Sequence, residues 1–366
     1  MDKIKIVYLI NSIKIGGPVN MIYNLVKNLD TQKFDITVIG ISDIPSNKKK
    51  DFSDISCKVM ELGVTGNVLS REKKVIEIIN EISPAIVHSH GGIADNINGK
   101  LKKSILKVNT IHCVPNEDFV FKNGKILGNL KSFFYYNNLK KIGTAIACSK
   151  TVSDKIKSYK GVAYKYIQNG IDTQEIGITE LNTSLKKRLQ IKNSDTVFCF
   201  CGYLSKRKNV QYIISNFKKI SNENYKLLII GDGDELSRLK ELASDDNRVI
   251  FVGRVSSPIE YLKISHYFLS ASLSEGLPLA VMEGMACGLP AILSKIDSHI
   301  ELSELPTNSI SYFDLSDDMG LRNEIEKTQR NNYEQLSTDA KDFIENYLNA
   351  QKMAKKYEQI YLDILN

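Results

Sequence analysis

Short apolar runs alternate along this chain with longer amphipathic segments. The runs that resemble buried strands cover residues 4–10, 34–41, 85–88, 106–111, 196–201, 227–230, 249–252, 267–271 and 291–293. Between them, apolar positions recur with helical spacing at 19–29, 75–82 and 235–242, and the last part of the chain, 321–366, has the same periodicity. Strands that alternate with helices predict parallel strands joined by crossover helices. The sequence therefore predicts an α/β fold with doubly wound sheets.

The strongest chemical signal follows the predicted strand at 267–271. Pro278 suits the first position of a helix, and Gly288 with Pro290 suits its end. The first backbone N–H groups of a helix have no partner inside it, so a helix start of this kind binds anions. The N–H groups expected to be available here belong to Gly276, Leu277, Leu279 and Ala280.

Two acids flank this predicted anion site. Glu275 lies in the loop before the helix, and Glu283 lies about a turn and a half into it. An isolated glutamate on a helix is usually solvated, but these two stand among apolar and glycine residues. Carboxylates accept hydrogen bonds from pairs of hydroxyls. The pattern fits a nucleotide diphosphate-sugar, which has a diphosphate in the middle and hydroxyls on both sides.

Glu275 and Glu283 form an E-x7-E motif within Ser-Glu-Gly-Leu-Pro and Met-Glu-Gly-Met-Ala-Cys-Gly-Leu-Pro. The motif resembles the signature of family-4 retaining glycosyltransferases of the bacterial surface-polysaccharide type, and the resemblance spans nearly the whole chain. It implies the GT-B fold, in which two doubly wound Rossmann-like domains face an interdomain cleft. It also implies a transfer that retains the anomeric configuration.

The length of the chain predicts two domains. At 366 residues it is long for one core, and an Asn169-Gly170 turn follows a strand-like segment near its middle. We place an N-terminal, acceptor-side Rossmann-like domain at 1–175 and a C-terminal, nucleotide-sugar-binding domain at 176–345. The resemblance implies that a C-terminal helix at 346–366 packs back on the N-terminal domain.

The N-terminal half places candidate residues at strand ends, where ligands bind in open α/β sheets. His88 and His90 follow the apolar run at 85–87, and His112 follows the predicted strand at 106–111. The diglycine Gly16-Gly17 lets the backbone approach a ligand closely at the start of the first helix. The resemblance implies that the diglycine reaches the donor phosphates and that His112 contacts the transferred sugar. It puts His88 and His90 on the acceptor side.

A glycine turn with three cations, 202–209, follows the predicted strand at 196–201. Cations beside a helix start suit a diphosphate leaving group, on which charge grows as the glycosidic bond breaks. The resemblance implies that Lys208 and an arginine at position 203 hold the diphosphate. Position 203 is Tyr203 in this chain, and the sequence leaves open whether Lys206 or Arg207 replaces the arginine.

The resemblance also assigns the other donor contacts. Glu275 holds the sugar hydroxyls and acts with His112 in catalysis, Glu283 holds the ribose, and the strand end at Arg254 reads the nucleotide base. The residues that the resemblance places around the diphosphate at the helix start are Gly276, Leu277, Pro278 and Leu279.

The sequence suggests neither a metal ion nor a cofactor, because the nucleotide-sugar is a substrate. Asp232-Gly233-Asp234 fits a capping turn into a helix more simply than a metal-binding D-x-D motif. Gly231 and Gly233 lack the third glycine of a dinucleotide-binding loop. The six cysteines show no C-x-x-C spacing, which argues against zinc and against a disulfide framework.

Charge and hydropathy bear on partners and location. The net charge of +7 is mildly basic, which favours an anionic small ligand or membrane surface over nucleic acid. We find no signal peptide and no uncharged apolar run of 18 residues, so we expect a cytoplasmic protein. The segment 119–141 combines six aromatic residues with five lysines. It suits either peripheral membrane contact or an ordinary amphipathic helix.

These features together predict a glycosyltransferase of polysaccharide biosynthesis. We expect it to move a hexose from a nucleotide diphosphate-sugar, with a UDP-sugar favoured, to a hydroxyl of a saccharide. A lipid-linked acceptor would place it at the inner face of the membrane. Two alternatives are a nucleotide-sugar epimerase on the same architecture and a non-catalytic nucleotide-binding subunit that serves a partner. Tyr203 suggests the second of these.

Overall fold

The computed structural model describes residues 2–14, 16–42, 48–55, 57–63, 68–178, 182–330 and 332–366. The chain forms two compact units. Unit 1 comprises Met1–Gly170 and Ala350–Asn366, and unit 2 comprises Ile171–Asn349. The chain thus leaves unit 1 once and returns to it for its last helix. The predicted limits at 175 and 345 lie within a few residues of these divisions.

Unit 1 is built on a parallel sheet, which has seven strands within the described ranges. In chain order the strands are β1 (Ile4–Ile10), β2 (Phe34–Gly40), β3 (Lys58–Glu61), β4 (Ile86–His90), β5 (Leu106–Ile111), β6 (Thr144–Ala147) and β7 (Lys165–Tyr166). The helices of this part are α1 (Gly17–Lys27), α2 (Lys49–Asp54), α3 (Val68–Ile82), α4 (Gly92–Lys100), α5 (Pro115–Asn123), α6 (Lys125–Leu139) and α7 (Lys150–Lys160).

The strand order of unit 1 is β3-β2-β1-β4-β5-β6-β7. β1 pairs with β4 in parallel, with Ile6 opposite Ile86. The direction of winding reverses between these two strands, and ligands bind in such sheets beyond the carboxyl ends at the reversal. His90 is the last residue of β4, and Gly16 follows β1. The predicted residues of unit 1 therefore lie at the expected edge of the sheet.

The sheet of unit 1 buries side chains on both faces. On one face, apolar residues of β1, β2 and β4 pack against α3 and α4 in a core that includes Leu9, Ile39 and Ile79. Full burial of each such side chain contributes about 1.5–3 kcal/mol. Tyr8 and His88 form a polar buried layer together with residues of the last helix of the chain.

Unit 2 is built on a second parallel sheet, with six strands in the described residues. They are β8 (Thr196–Cys201), β9 (Tyr225–Ile230), β10 (Val249–Gly253), β11 (Tyr267–Ser270), β12 (Ala291–Ser294) and β13 (Ile310–Phe313). The α-helices are α8 (Thr173–Ile178), α9 (Thr183–Arg188), α10 (Val210–Phe217), α11 (Leu236–Leu242), α12 (Pro258–Lys263), α13 (Leu279–Ala286), α14 (Asp297–Ser303), α15 (Gly320–Lys327) and α16 (Tyr333–Tyr347). The last helix of the chain, α17 (Ala350–Leu365), belongs to unit 1.

The strand order of unit 2 is β10-β9-β8-β11-β12-β13. Winding reverses between β8 and β11, which pair in parallel with Phe198 opposite Tyr267. The core around them includes Phe198, Leu227 and Leu269, all with no exposed surface. The carboxyl ends of β8 and β11 therefore mark the expected ligand-binding edge of this sheet.

Several predicted elements are confirmed, including the strands at 4–10, 106–111 and 196–201. The prediction that Pro278 occupies the first helical position was wrong by one residue. α13 begins at Leu279, and Pro278 caps it with a ψ of 84°, outside the helical range. The Pro278 carbonyl accepts the first helical bond, from the N–H of Met282 at 3.1 Å.

The aromatic and basic segment 119–141 folds as parts of two helices, α5 and α6, that meet at Gly124. They pack closely at Gly128, where an added Cβ atom would lie 2.6 Å from the backbone of Val120. Among the described residues, no helix combines the length and the apolar character that a membrane span requires.

Candidate active site

The candidate site of unit 2 is formed by two loops that follow β8 and β11. The first loop leaves β8 at Gly202 and makes a turn of 3-10 helix over Lys206–Lys208. The second runs from the end of β11 to the start of α13. The N–H of Leu273 donates to the carbonyl of Arg207 at 2.9 Å, which ties the two loops together. The reversal of winding thus brings together segments about 70 residues apart in sequence.

Glu275 lies where these loops meet and is held by two cations. Lys208 Nζ lies 2.5 Å from Glu275 Oε1, and Arg207 Nη1 lies 2.9 Å from Oε2. The Ser272 hydroxyl donates to Oε1 at 2.7 Å. Burial by itself raises the pKa of this carboxyl, but Lys208 and Arg207 outweigh it and hold the pKa well below the ordinary value. Glu275 is therefore a buried, ionised carboxylate.

The structure distinguishes between the two cations that the sequence left open. The Arg207 side chain is partly buried and also donates to the carbonyl of Ser274. Lys206 is exposed. The Tyr203 side chain is 57% exposed, and its hydroxyl donates to Asp234 at 2.7 Å. Arg207 and Lys208, which are adjacent in sequence, are thus the two cations that contact the carboxylate of Glu275.

The start of α13 lies directly beyond Glu275. The residues Gly276, Leu277, Pro278 and Leu279 are all buried. The first amides of α13 have no partner within the helix and carry the positive end of its dipole. Glu283 on α13 is partly exposed. Burial of Cys201, at the end of β8, raises the pKa of its thiol, and the negative charge of Glu283 raises that pKa further. The second acid therefore lies near the end of β8.

The Gly231–Asp234 turn serves packing. An added Cβ atom on Gly231 would lie 2.0 Å from the carbonyl oxygen of Gly202, so only glycine permits this approach of the two loops. Asp234 accepts a hydrogen bond from the hydroxyl of Tyr203. Within the part of the chain that the structure describes, no group of three or more His, Cys, Asp or Glu side chains could hold a metal ion.

A buried polar layer behind Glu275 went unpredicted. His299 on α14 has no exposed surface, and its Nδ1 lies 2.8 Å from the Ser294 carbonyl. Its Nε2 lies 3.4 Å from the hydroxyl of Ser270, which is 3.2 Å from that of Ser272. Burial lowers the pKa of His299 to about 4, so the ring is neutral near pH 7. Its one sequence signal was a position shortly after β12.

The histidines of unit 1 form a second buried group. His88 has both ring nitrogens engaged, with Nδ1 2.7 Å from the Tyr361 hydroxyl and Nε2 2.8 Å from Thr110 Oγ1. His90 Nδ1 lies 2.9 Å from His112 Nε2. Burial lowers the pKa of His112 to about 4 and that of His90 well below its ordinary value. The three rings are neutral near pH 7, and His88 contributes to the core of unit 1.

Two further predicted positions lie at the surface of their own units. Gly16 precedes α1, and its carbonyl accepts from the N–H of Asn20 at 2.9 Å, so the first turn of α1 is formed there. Gly17 is exposed. Arg254 follows β10 and is exposed. In unit 2, the predicted site residues that the structure brings into contact are Glu275 and Lys208, and Arg207 is the second cation at Glu275.

Two family models match the chain. The model described as Glycosyltransferase Family 4 matches residues 15–175. The model described as Glycosyl transferases group 1 matches residues 182–304. The first range contains the diglycine and the three histidines of unit 1, and the second contains both acids of the E-x7-E motif together with Lys208.

The chain is also similar to individual proteins. It is 26% identical over 319 residues to the N-acetyl-alpha-D-glucosaminyl L-malate synthase of Bacillus anthracis, covering 81% of this chain and 79% of that protein. It is 26% identical over 368 residues to the UDP-Gal:alpha-D-GlcNAc-diphosphoundecaprenol alpha-1,3-galactosyltransferase of Escherichia coli, covering 92% and 91%. The crystal structure of Anabaena HepE in complex with UDP and glucose has a TM-score of 0.79 at 17% identity. It covers 98% of this chain and 100% of HepE, and this likeness concerns the fold.

Proposed function

Since this chain is a glycosyltransferase of family 4 with the GT-B fold, we propose that it transfers a hexose from a nucleotide diphosphate-sugar to a saccharide hydroxyl. The observation that carries this proposal is the convergence of Lys208 and Arg207 on Glu275 beside the start of α13. Two cations and a helix start match a diphosphate, and an acid beside them matches the hydroxyls of a sugar.

The proposed mechanism places the positive charge where negative charge develops. As the bond between the sugar C1 and the phosphate oxygen breaks, charge grows on the departing diphosphate. Lys208, Arg207 and the first amides of α13 stabilise this charge, and we propose that the reaction needs no metal ion in addition. Interactions that strengthen towards the transition state raise the rate of the chemical step.

We propose that the transfer retains the anomeric configuration by attack on the same face of the sugar. The acceptor oxygen forms a bond to C1 as the bond from C1 to the phosphate oxygen breaks, and the acceptor proton passes to that phosphate oxygen. Glu275 binds hydroxyls of the transferred sugar, and Glu283 binds the ribose. For His112 we propose a contact with the sugar, and for His90, whose Nε2 has no hydrogen-bond partner among the described residues, a role towards the acceptor.

We favour UDP as the nucleotide and a lipid-linked saccharide as the acceptor. The name of the Escherichia coli relative specifies a UDP-sugar and an acceptor on diphosphoundecaprenol. The α5–α6 pair of this chain supports a membrane location, because it exposes large apolar side chains beside lysines. The exposed apolar residues are Phe121, Ile126, Leu127, Leu130, Phe133 and Phe134. Such a surface suits peripheral contact with an anionic membrane.

The proposal is tested at the two cations. Lys208→Ala and Arg207→Ala should each weaken UDP binding about 10- to 100-fold, because each removes a charged hydrogen bond worth roughly 1.5–3 kcal/mol. Lys206→Ala is the matched control, since it removes the same charge from an exposed neighbour and should change affinity less than about threefold. Isothermal titration calorimetry measures the three affinities.

A thermal-shift screen of nucleotide-sugars identifies the donor, and the NMR signal of the anomeric proton in the product reports the configuration. The proposed diphosphate site is refuted if Lys208→Ala binds the donor nucleotide as tightly as the wild type. A product with inverted configuration refutes the retaining route but not the site.

A further inference from the structure

Glu275 occupies the two cations that the proposed function assigns to the diphosphate. Its Oε1 meets Lys208, its Oε2 meets Arg207, and Ser272 supplies a further hydrogen bond to Oε1. The side chain of Glu275 is 7% exposed, against 17% for Lys208 and 27% for Arg207. The two cations are therefore more accessible to a ligand than the carboxylate is.

A diphosphate and Glu275 compete for the same positive charge. The ammonium of Lys208 has three N–H donors and the guanidinium of Arg207 has five, so a diphosphate does not have to displace Glu275 from them. Their positive charge then serves two anions, however, so their bonds to the carboxylate weaken. Glu275 is then a buried charge that keeps Ser272 as its partner, and a buried charge without sufficient partners is costly. The binding of a bare diphosphate must pay this cost.

A nucleotide-sugar brings replacement donors. Its sugar hydroxyls can bond to the carboxylate oxygens that the cations leave, and hydrogen bonds to a charged acceptor are the stronger kind. A free nucleoside diphosphate has no such hydroxyls at its diphosphate end. The exchange of partners at Glu275 therefore favours binding of the nucleotide-sugar over binding of the free nucleoside diphosphate that remains after transfer.

We propose that Glu275 is a specificity-determining residue that makes the enzyme bind a nucleotide-sugar in preference to the free nucleoside diphosphate. The proposal rests on the proposed function, in which Lys208 and Arg207 hold the diphosphate. After the hexose has moved to the acceptor, the carboxylate loses its hydroxyl partners and draws the two cations back. This exchange weakens the hold on the diphosphate and promotes release of the product.

Glu275→Gln tests the competition, because it keeps the size of the side chain and removes its charge. Inorganic pyrophosphate is the probe, since it carries the diphosphate chemistry without base or sugar. The variant should bind pyrophosphate roughly tenfold more tightly than the wild type in calorimetric titration. It should also lose most of the preference for the donor nucleotide-sugar over its nucleoside diphosphate. Glu241→Gln, an exposed acid on α11 of the same unit, is the matched control and should leave both quantities unchanged.

Ser272→Ala provides the opposite test. It removes the donor that stays with Glu275 when the cations leave, so pyrophosphate binding should weaken several-fold. Ser272 is fully buried and loses a single atom in this variant, which makes it a second measurement if Glu275→Gln does not fold.

The inference is overturned if Glu275→Gln binds pyrophosphate no more tightly than the wild type, because Glu275 would then arrange the cations for the diphosphate. An unchanged pyrophosphate affinity in Ser272→Ala would overturn it as well. Lys208→Ala separates this failure from a failure of the proposed function. If Lys208→Ala weakens pyrophosphate binding while Glu275→Gln does not strengthen it, the diphosphate site stands and the competition does not.

Discussion

Two buried carboxyl groups show how single residues acquire their charge. Glu275 in unit 2 is ionised because Lys208 and Arg207 contact it. Asp95 on α4 has no exposed surface, and it accepts a hydrogen bond from the amide of Asn109 at 2.6 Å. Burial raises the pKa of Asp95 to about 7, a shift that the Asn109 bond only partly offsets. Nearby cations, and not burial alone, therefore decide which carboxyl group is charged.

Asp95 should make the stability of unit 1 depend on pH. Its folded pKa is raised above the ordinary value of 3.8, so its contribution is complete below about pH 3.8 and is lost as the pH rises to about 7. Asp95→Asn should remove this loss. The difference in the free energy of unfolding between the variant and the wild type should therefore be roughly 2–4 kcal/mol more favourable to the variant at pH 7.5 than at pH 4. Urea unfolding at several pH values measures the difference.

Asp54→Asn is the control for this series, because Asp54 is exposed on α2. A constant difference in unfolding free energy between Asp95→Asn and the wild type from pH 4 to pH 7.5 would contradict the assignment.

At the scale of elements, α5 and α6 carry a surface that the core of unit 1 does not use. Ile126 is 90% exposed and Phe134 62% exposed, while Tyr136 and Ser132 on the same helix are buried. The hydroxyl of Ser132 bonds to the Pro115 carbonyl at 3.0 Å and anchors α6 to the start of α5. The two helices are thus fixed on one side and present apolar and basic side chains on the other.

This surface should bind anionic vesicles. Phe133→Ser with Phe134→Ser should remove most of the co-sedimentation with vesicles that contain phosphatidylglycerol, because it removes two exposed aromatic rings. Lys125→Glu with Lys131→Glu should weaken binding by roughly 1 kcal/mol or more per charge, and more strongly at low salt.

Lys73→Glu with Lys74→Glu makes the same change in charge on the exposed face of α3 and serves as the control. If the wild type does not co-sediment with anionic vesicles, or if this control loses binding equally, the α5–α6 surface is not the membrane contact.

At the scale of the whole molecule, the chain closes unit 1 with its last helix. α17 packs against α1, and its Tyr357 and Tyr361 have no exposed surface. The Tyr361 hydroxyl lies 2.7 Å from that of Tyr8 and 2.7 Å from His88 Nδ1, and the Tyr357 hydroxyl lies 2.9 Å from Thr110 Oγ1. These bonds join the last helix to β1, β4 and β5, far away in sequence.

Tyr361→Phe should therefore lower the free energy of unfolding by about 1–3 kcal/mol, because it leaves Tyr8 and His88 buried without this partner. Chemical denaturation measures the change. Tyr159→Phe removes a hydroxyl from a half-exposed ring on α7 and should change the stability by less than about 0.5 kcal/mol. Equal effects of the two substitutions would show that the buried hydroxyl network contributes no stability.

Local patterns in the sequence were enough to predict many of the strands and a candidate site. Apolar runs bounded by turns were sufficient for the strands at 4–10, 106–111 and 196–201, because a strand buried on both faces needs an unbroken apolar segment. The E-x7-E motif located Glu275, since loop, helix start and acid are contiguous in the chain. The family followed from the same residues.

Which side chains meet depends on the three-dimensional fold. The sequence left Lys206 and Arg207 equivalent, and the turn of 3-10 helix directs Arg207 to Glu275 while Lys206 stays exposed. It did not single out His299, whose Nε2 lies 3.4 Å from the hydroxyl of Ser270, 29 residues earlier in the chain. It predicted that His88 lies at a strand end, but it did not predict the hydrogen bond between His88 and Tyr361, which lies 273 residues later in the chain. Local periodicity encodes elements, whereas such contacts depend on the winding of the sheets, which brings distant segments together.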